Sequence, residues 1–178
     1  MIRPIVLFDV DGTLCDVRAI RYHVDPEDPA FIGKRNYNRF HSQSEWAPTN
    51  PRIVALLSDL AAQRIRIVIV TGREQRWSAL TERWLERHEI KFDRILYRPD
   101  RDERPDAEIK RAHLRYLQSL GPVTLAVDDN VKVIAMWREE SIPVLQVDAE
   151  AKFIPIDLGI QGIERSIRKV LLRHRLTR

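Results

Sequence analysis

The sequence predicts an α/β fold, a doubly wound parallel sheet of five strands with helices on both faces. Short apolar segments alternate along the chain with segments of helical length and period, which is the pattern of successive βαβ units. Three of the apolar segments end in polar residues, namely Asp9/Asp11, Thr71/Gly72/Arg73 and Asp128/Asp129. Because the carboxyl ends of parallel strands meet at one edge of the sheet, these residues should form a single site there.

Composition bounds the class of protein. The 178 residues suit one domain over 1–178, and 44% hydrophobic with 31% charged residues is ordinary for a globular chain. A net charge of +4 allows an anionic partner without requiring one. Cys15 is the only cysteine, so an internal disulfide is excluded. With no secretory pattern before the first strand and no apolar run of membrane-spanning length, we expect a soluble cytoplasmic protein.

The first predicted strand, Ile5–Phe8, is followed at once by the first polar cluster. Four consecutive apolar residues are too few for a helix and typical of a strand buried on both faces. Asp9 and Asp11 would be costly at the end of such a strand unless a divalent cation compensates them. Gly12 would let the chain turn sharply and leave both carboxylates aimed at one volume. The alternative is an ordinary Asp-Gly turn with solvated acids.

Two segments stand apart from the alternating pattern. Residues 15–49 have little period, and we expect a small cap or flap insertion with one short helix near 35–44. Residues 160–178 are predicted to form a C-terminal basic helix with an apolar stripe. That helix either packs on its own domain, which we favour, or lies on a membrane or nucleic acid.

The remaining elements follow in a regular order. Asn50-Pro51 should begin a helix, with Asn50 as its cap. After it we expect strand 65–70, helix 74–88, strand 92–97, helix 106–119, strand 123–127, helix 131–140 and strand 143–147.

Two further polar residues are expected at the same edge. Lys110, in the first turns of helix 106–119, is the candidate cation for the clustered carboxylates, although a lone helical lysine is more often solvated. The hydroxyl of Thr71 suits a phosphate oxygen, or caps helix 74–88, and both roles can hold together.

The order of these motifs resembles the haloacid dehalogenase (HAD) superfamily of phosphotransferases. The resemblance covers residues 4 to about 147 and rests on Asp9-Val-Asp-Gly-Thr13, the strand-terminal Thr71, Lys110, and the Asp128-Asp129 pair. It implies that Asp9 attacks phosphorus and that Asp11 is the general acid and base.

The same resemblance implies the cofactor and the phosphoryl ligands. Mg²⁺ would be held by the side chains of Asp9 and Asp128 and by the backbone carbonyl of Asp11, with Asp129 in support. Thr71 and Lys110 would bind the transferring phosphoryl group.

Within that superfamily, three segments look like the 3′-phosphatase domain of phage polynucleotide kinases. They are Thr71–Glu74, Arg104-Pro-Asp106 and Leu125–Arg138. The likeness implies substrate binding by Arg73 and Asp106, and by either Arg18 or Arg21 from the insertion. No Gly-x-x-x-x-Gly-Lys-Ser/Thr motif occurs, so no ATP-dependent kinase activity is expected of this chain.

The expected function is therefore removal of a 3′-phosphate from a nucleic-acid end, DNA or RNA. The insertion is too small to enclose a metabolite, and an open site suits the end of a polymer. The alternatives are a phosphatase for a free nucleotide or small metabolite and a catalytically silent HAD-like binding module, which need not retain both Asp9 and Asp11. A metal site from His23 and His41 is a weaker possibility.

Overall fold

The structure, a computed structural model, describes residues 3–148 and 153–154. Its strands are β1 (Ile5–Phe8), β2 (Arg66–Glu74), β3 (Arg94–Arg98), β4 (Val123–Asp128), β5 (Val144–Val147) and β6 (Phe153–Ile154). Its α-helices are α1 (Tyr37–Ser44), α2 (Pro51–Ala62), α3 (Ser78–Arg87), α4 (Asp106–Gln118) and α5 (Val131–Glu139). Short 3-10 helices span Arg18–His23 and Gln75–Trp77. The predicted helix 160–178 lies outside the described residues.

The strands form one sheet in the order β3-β2-β1-β4-β5-β6. The first five strands are parallel, as predicted, and β6 pairs antiparallel with β5. This sixth strand was not predicted, because two residues carry no detectable period and owe their conformation to pairing with β5. The order reverses direction at β1, so β1 and β4 flank the crevice in which doubly wound sheets bind ligands.

Both faces of the sheet are covered by helices. Val6 and Phe8 face a core shared with α2 and α3, whereas Ile5 and Leu7 face a core shared with α4 and α5. Successive side chains of a strand point to opposite faces, so a strand covered on both sides must be apolar at every position. This is why β1 is a continuous apolar run, and the predicted fold class is confirmed.

The boundary after the second strand differs from the prediction. The strand was expected to stop before Thr71, but β2 continues to Glu74, which pairs with Arg98 after an irregularity in register. The Arg98 guanidinium also donates to the Gly72 carbonyl oxygen at 3.0 Å. Since these bonds come from β3, the local sequence could not reveal them. The predicted helix 74–88 therefore starts as a short 3-10 helix, Gln75–Trp77, and continues as α3.

Residues 15–49 form a compact segment whose two ends meet. Cys15 and Thr49 form an isolated antiparallel bridge, and Asp16 N–H donates to the Pro48 carbonyl oxygen at 2.9 Å. The indole of Trp84 on α3 donates to the Ala47 carbonyl oxygen at 2.7 Å. The segment contains the short helix expected near 35–44, as α1; that it acts as a flap stays a prediction. None of the described helices is both long and apolar enough to cross a membrane.

His41 on α1 is buried between aromatic rings. Its ring centroid lies 5.2 Å from that of Phe40 and 5.5 Å from that of Trp77, and within the described residues its Nδ1 has no hydrogen-bond partner. Burial lowers the pKa of His41 to about 4, while the opposing charges of Asp11 and Arg73 have smaller effects. The folded state therefore excludes a proton that the unfolded chain accepts near its ordinary pKa of about 6.5.

This shift predicts a loss of stability in mild acid. Because the pKa of His41 is lower in the folded state than in the unfolded chain, the contribution of neutral His41 to the unfolding free energy is present above about pH 6.5. This contribution is lost as pH falls towards 4. Between pH 7 and pH 5 the loss should be about 2 kcal/mol of unfolding free energy. Urea denaturation at the two pH values should show that His41→Phe removes most of this difference and that His88→Gln, at a half-exposed position after α3, retains it. An unchanged pH dependence in His41→Phe would contradict the assignment.

Candidate active site

The first carboxylates lie at the turn that follows β1. Asp9 is buried, and its N–H donates to the Val127 carbonyl oxygen of β4 at 3.0 Å. Gly12 has a φ of +86°, a conformation that side chains other than glycine rarely adopt. A Cβ on Gly12 would lie 2.2 Å from a carboxylate oxygen of Asp129. Glycine is therefore required both by the turn and by the close approach of the next acidic cluster.

Lys110 connects the ends of β1 and β4. Its side chain is 1% exposed, and its Nζ lies 2.6 Å from Asp9 Oδ1, 2.9 Å from Asp128 Oδ2 and 3.5 Å from an oxygen of Asp106. Burial alone would lower the pKa of Lys110, but the charges of Asp128, Asp9 and Asp106 outweigh it and raise the pKa. The ammonium form is thus held inside the protein by its carboxylate neighbours, and Lys110 is not the solvated helix residue of the alternative interpretation.

One ammonium does not neutralise this cluster. Burial raises the pKa of Asp9 well above its ordinary value, and Asp128 and Asp129 raise it further, against the lowering effect of Lys110. Burial and the charge of Asp128 also raise the pKa of Asp129 to about 6. Ionising all three carboxylates together requires a further positive charge.

A divalent cation fits the three carboxylates. One oxygen each from Asp9, Asp128 and Asp129 can be chosen so that all lie within 4.8 Å of one another. Carboxylate oxygens are the ligands that Mg²⁺ prefers, and HAD phosphatases generally use Mg²⁺. The carboxylate of Asp11 is not in this group; the sequence resemblance assigned its backbone carbonyl, which stays a prediction.

The Asp11 side chain turns towards Arg73 instead. Arg73 is fully buried at the end of β2, and its Nε and Nη2 donate to the two Asp11 oxygens at 2.8 and 2.5 Å. Its Nη1 donates to the Thr81 hydroxyl at 3.1 Å. Burial raises the pKa of Asp11, but the charge and hydrogen bonds of Arg73 outweigh this effect and the pKa is lowered. Asp11 is therefore held in one orientation and in its ionised form.

Thr71 precedes Gly72 in the chain, and the carboxylate of Asp106 packs against Gly72. Thr71 is buried, and its hydroxyl oxygen accepts from the Arg73 N–H at 3.2 Å. The predicted capping role is wrong, because α3 begins only at Ser78. Asp106 accepts from Arg98 at 3.4 Å, and a Cβ on Gly72 would lie 2.8 Å from its carboxylate. Because Gly72 has no side chain, Asp106 can lie close to the backbone next to Thr71.

Arg18 and Arg21, the two candidate substrate-binding arginines of residues 15–49, differ in their contacts. Both line a narrow crevice of about 10 Å³ beside Gly12 and Asp129, with room for about one water molecule. Arg21 donates to an Asp129 oxygen at 3.2 Å, whereas Arg18 forms an ion pair with Asp16. Arg21 is therefore in contact with the acidic cluster, and Arg18 lines the same crevice. Substrate contacts by either remain predictions.

Three supporting residues were not identified as part of the site from the sequence. Thr81 fixes Arg73, and the Trp137 indole donates to Asp128 Oδ2 at 3.3 Å. Asn50 was predicted to cap α2, but its side chain makes no capping bond and donates to the Thr13 carbonyl oxygen at 2.6 Å. Thr81 and Trp137 lie eight and nine residues from the side chains that they contact, and Asn50 lies 37 residues from Thr13, so no pattern of adjacent residues signals these contacts.

The weaker metal-site hypothesis gains no support. The His23 ring shares a hydrogen bond of 3.0 Å with Gln43, and the buried His41 contacts aromatic rings. Within the part of the chain described, neither histidine belongs to a group with metal-ligand spacing.

The doubly wound sheet, with its acidic residues, threonine and lysine gathered at one edge, is that of a HAD-superfamily phosphatase. The sequence model of the family described as "Polynucleotide kinase PNKP phosphatase domain" matches residues 3–153, so the chain belongs to that family. The resemblance drawn from the motifs is confirmed.

Solved structures agree with this assignment. Chains from structures described as a "Pnkp1/Rnl/Hen1 RNA repair complex" and a "Pnkp1/Rnl/Hen1 complex" are both 29% identical to this chain, with TM-scores of 0.67 and 0.68. The matches cover 83% of this chain but 43% and 46% of theirs, so it spans less than half of their length.

More distant structures share the fold alone. The class C acid phosphatase from Bacillus anthracis with tungstate bound is 13% identical with a TM-score of 0.58, over 79% of this chain and 62% of that one. The haloacid dehalogenase-like protein SP0104 from Streptococcus pneumoniae is 19% identical with a TM-score of 0.57, over 81% and 84%.

The position of Lys110 predicts a large effect of removing its charge. Lys110→Met keeps most of the side-chain volume but leaves Asp9 and Asp128 buried without their ammonium. The unfolding free energy in EDTA should fall by about 3–5 kcal/mol, the usual cost of breaking a buried ion pair. Urea denaturation measures the loss, and Lys132→Met, at an exposed lysine of α5, should change stability by less than about 0.5 kcal/mol. Equal effects of the two substitutions would contradict the bridging role.

Proposed function

We propose that the chain is a Mg²⁺-dependent phosphomonoesterase that removes a 3′-phosphate from a nucleic-acid end through an aspartyl-phosphate. The single observation that carries the proposal is the pairing of two aspartates with two different buried cations. Asp9 pairs with Lys110 and lies near Asp128 and Asp129, whereas Asp11, two residues on, is held by Arg73. Two carboxylates in such different surroundings suit two different chemical roles.

Asp9 is the proposed nucleophile. One of its carboxylate oxygens forms the new bond to phosphorus while the bond from phosphorus to the 3′-oxygen breaks. The raised pKa of Asp9 is the reason that a second cation is needed, since the nucleophile must be ionised. Mg²⁺ bound by Asp9, Asp128 and Asp129 would supply that charge and offset the charge of the phosphate.

Asp11 is the proposed general acid and base. It donates a proton to the departing 3′-oxygen and then takes one from the water that hydrolyses the aspartyl-phosphate. Arg73 keeps Asp11 ionised in the free protein, which suits the second step. A phosphate dianion beside Asp11 disfavours a further negative charge, so substrate binding raises its pKa and suits the first step.

Thr71 and Lys110 are proposed to hold the transferring phosphoryl group, and both are buried at this edge of the sheet. Arg73, Asp106 and one of Arg18 and Arg21 are proposed to contribute to substrate binding. Arg21 is the better candidate of the last two, because it already reaches the acidic cluster.

The proposed substrate class is supported by the family to which the chain belongs and by one similar solved structure. The chain belongs to the family of polynucleotide kinase phosphatase domains, and one 29% identical chain comes from an RNA repair complex. Both support a phosphorylated nucleic-acid end, DNA or RNA, rather than a free nucleotide or small metabolite. We infer that the protein acts in the cytoplasm.

Replacing the nucleophile should abolish turnover without unfolding the protein. Asp9→Asn removes one negative charge from a crowded cluster, so its thermal stability should be retained or increased. Phosphate release from a 3′-phosphorylated oligonucleotide in Mg²⁺ should become undetectable, whereas Asp59→Asn, at an exposed position on α2, should match the unmodified chain. A folded Asp9→Asn variant with near-normal turnover would exclude the covalent route.

Replacing the acid and base should depend on the leaving group. Asp11→Asn should slow turnover of a 3′-phosphorylated oligonucleotide by roughly 10²–10⁴-fold, as expected for loss of proton transfer. The effect on p-nitrophenyl phosphate should be much smaller in the first step, because p-nitrophenolate leaves without protonation. Burst kinetics separate the two steps; an equal slowing of the first step for both substrates would remove Asp11 from the role of acid.

A further inference from the structure

A larger cavity lies outside the acidic cluster, between α1 and the 3-10 helix Gln75–Trp77. It is an open cleft of about 490 Å³, lined by Asn38, Arg39, Ser42, Arg76 and Trp77. Its volume falls within the range of roughly 300–1,000 Å³ that ligand sites occupy. The lining offers two guanidinium groups, an indole, an amide and a hydroxyl, and these five residues include no acid.

The cleft is connected to the candidate active site through one hydrogen-bond chain. The Thr81 hydroxyl accepts from Arg73 Nη1 at 3.1 Å and donates to the Trp77 carbonyl oxygen at 2.9 Å. Arg73 in turn holds Asp11. Trp77 is also only four residues beyond Arg73 in the chain. Trp77 of the cleft is therefore linked to the residue that holds Asp11 by one shared hydroxyl group and by four residues of chain.

Aromatic rings form one part of the cleft and its surroundings. Trp77 is half-buried, with its ring centroid 5.5 Å from that of His41, and His41 stacks on the exposed Tyr37 at 6.2 Å. An aromatic face beside an open cavity suits a planar ring, and nucleobases stack on such faces whatever their sequence.

The charge of the cleft suits an anion. The Arg76 guanidinium lies 5.6 Å from the centre of the Trp77 ring and also pairs with Glu74. Arg39 is exposed on α1 and makes no ion pair with any described residue. A positively charged side chain beside an aromatic ring is the combination by which proteins hold the backbone and bases of single strands.

We propose that this cleft binds the nucleotide next to the terminal one in a single-stranded nucleic-acid end. Its base stacks on Trp77, and its phosphate lies between Arg39 and Arg76. Asn38 and Ser42 can bond to the sugar or to base edges without selecting one sequence. The inference rests on the proposed function, since the terminal 3′-phosphate must lie at Asp9. A paired end is disfavoured because its bases are stacked on one another and cannot present a face.

The test compares two substrates across matched variants. Trp77→Ala should lower kcat/KM for a 3′-phosphorylated tetranucleotide by roughly 5- to 150-fold, as expected for loss of one base stack, and should leave a 3′-mononucleotide within about twofold. Trp46→Ala removes a tryptophan that is 75% exposed and stacks on Arg87 away from the cleft. It should affect neither substrate.

Arg39 provides a second variant that does not threaten folding. Arg39→Ala should weaken tetranucleotide binding and lower the slope of log K against log salt by about 0.7, the value for one phosphate contact on a single strand. Arg115→Ala, at an exposed position near the C-terminal end of α4, should leave the slope unchanged. Binding is measured in the Asp9→Asn background, where the substrate persists.

The outcomes separate this inference from the proposed function. If the unmodified chain hydrolyses p-nitrophenyl phosphate but not the 3′-phosphorylated tetranucleotide, both fail. If it hydrolyses the tetranucleotide, but Trp77→Ala and Arg39→Ala affect mono- and tetranucleotide equally or not at all, only the cleft assignment is overturned. A selective loss for the tetranucleotide in either variant, absent from its control, supports the assignment.

Discussion

The ion pairs of Lys110 with Asp9 and Asp128 are the interaction on which the site depends. They join α4 to the ends of β1 and β4, the two strands on either side of the crevice. These groups have little access to water, and the buried Lys110 ammonium is tolerable because the two carboxylates compensate its charge. The same pairs fix where Asp9 lies, so the interaction that makes this edge of the sheet stable also sets the geometry of the proposed chemistry.

A second ion pair separates the two aspartates of the first motif. Asp9 and Asp11 are two residues apart, yet one faces Lys110 and the other is held by Arg73 at the end of β2. Gly12 makes this possible, since its turn allows the chain to leave β1 while Asp129 packs against its backbone. The neighbouring strands therefore give two identical side chains different pKa shifts, upward for Asp9 and downward for Asp11.

The end of β2 and the residues that follow it connect the site with the surface. Arg73 holds Asp11 on one side and Thr81 on the other, and Thr81 is bonded to the backbone of Trp77. A buried contact of the candidate catalytic group thus continues to an open, basic and aromatic cleft. The proposed substrate extends beyond its reacting phosphate, which distinguishes a polymer end from a small phosphate ester.

The sequence by itself determined the fold class, the five parallel strands and the residues gathered at one edge, because burial on both faces imposes continuous apolar runs and polar residues can follow them only where strands end. Tertiary structure alone decided the continuation of β2 through Thr71 to Glu74, the pairing of β6, the partner of Arg73 and the role of Asn50. These features depend on hydrogen bonds and ion pairs between separate segments of the chain. A side chain's type limits which partners it can take, but only the packing of strands and helices determines which partner is within reach.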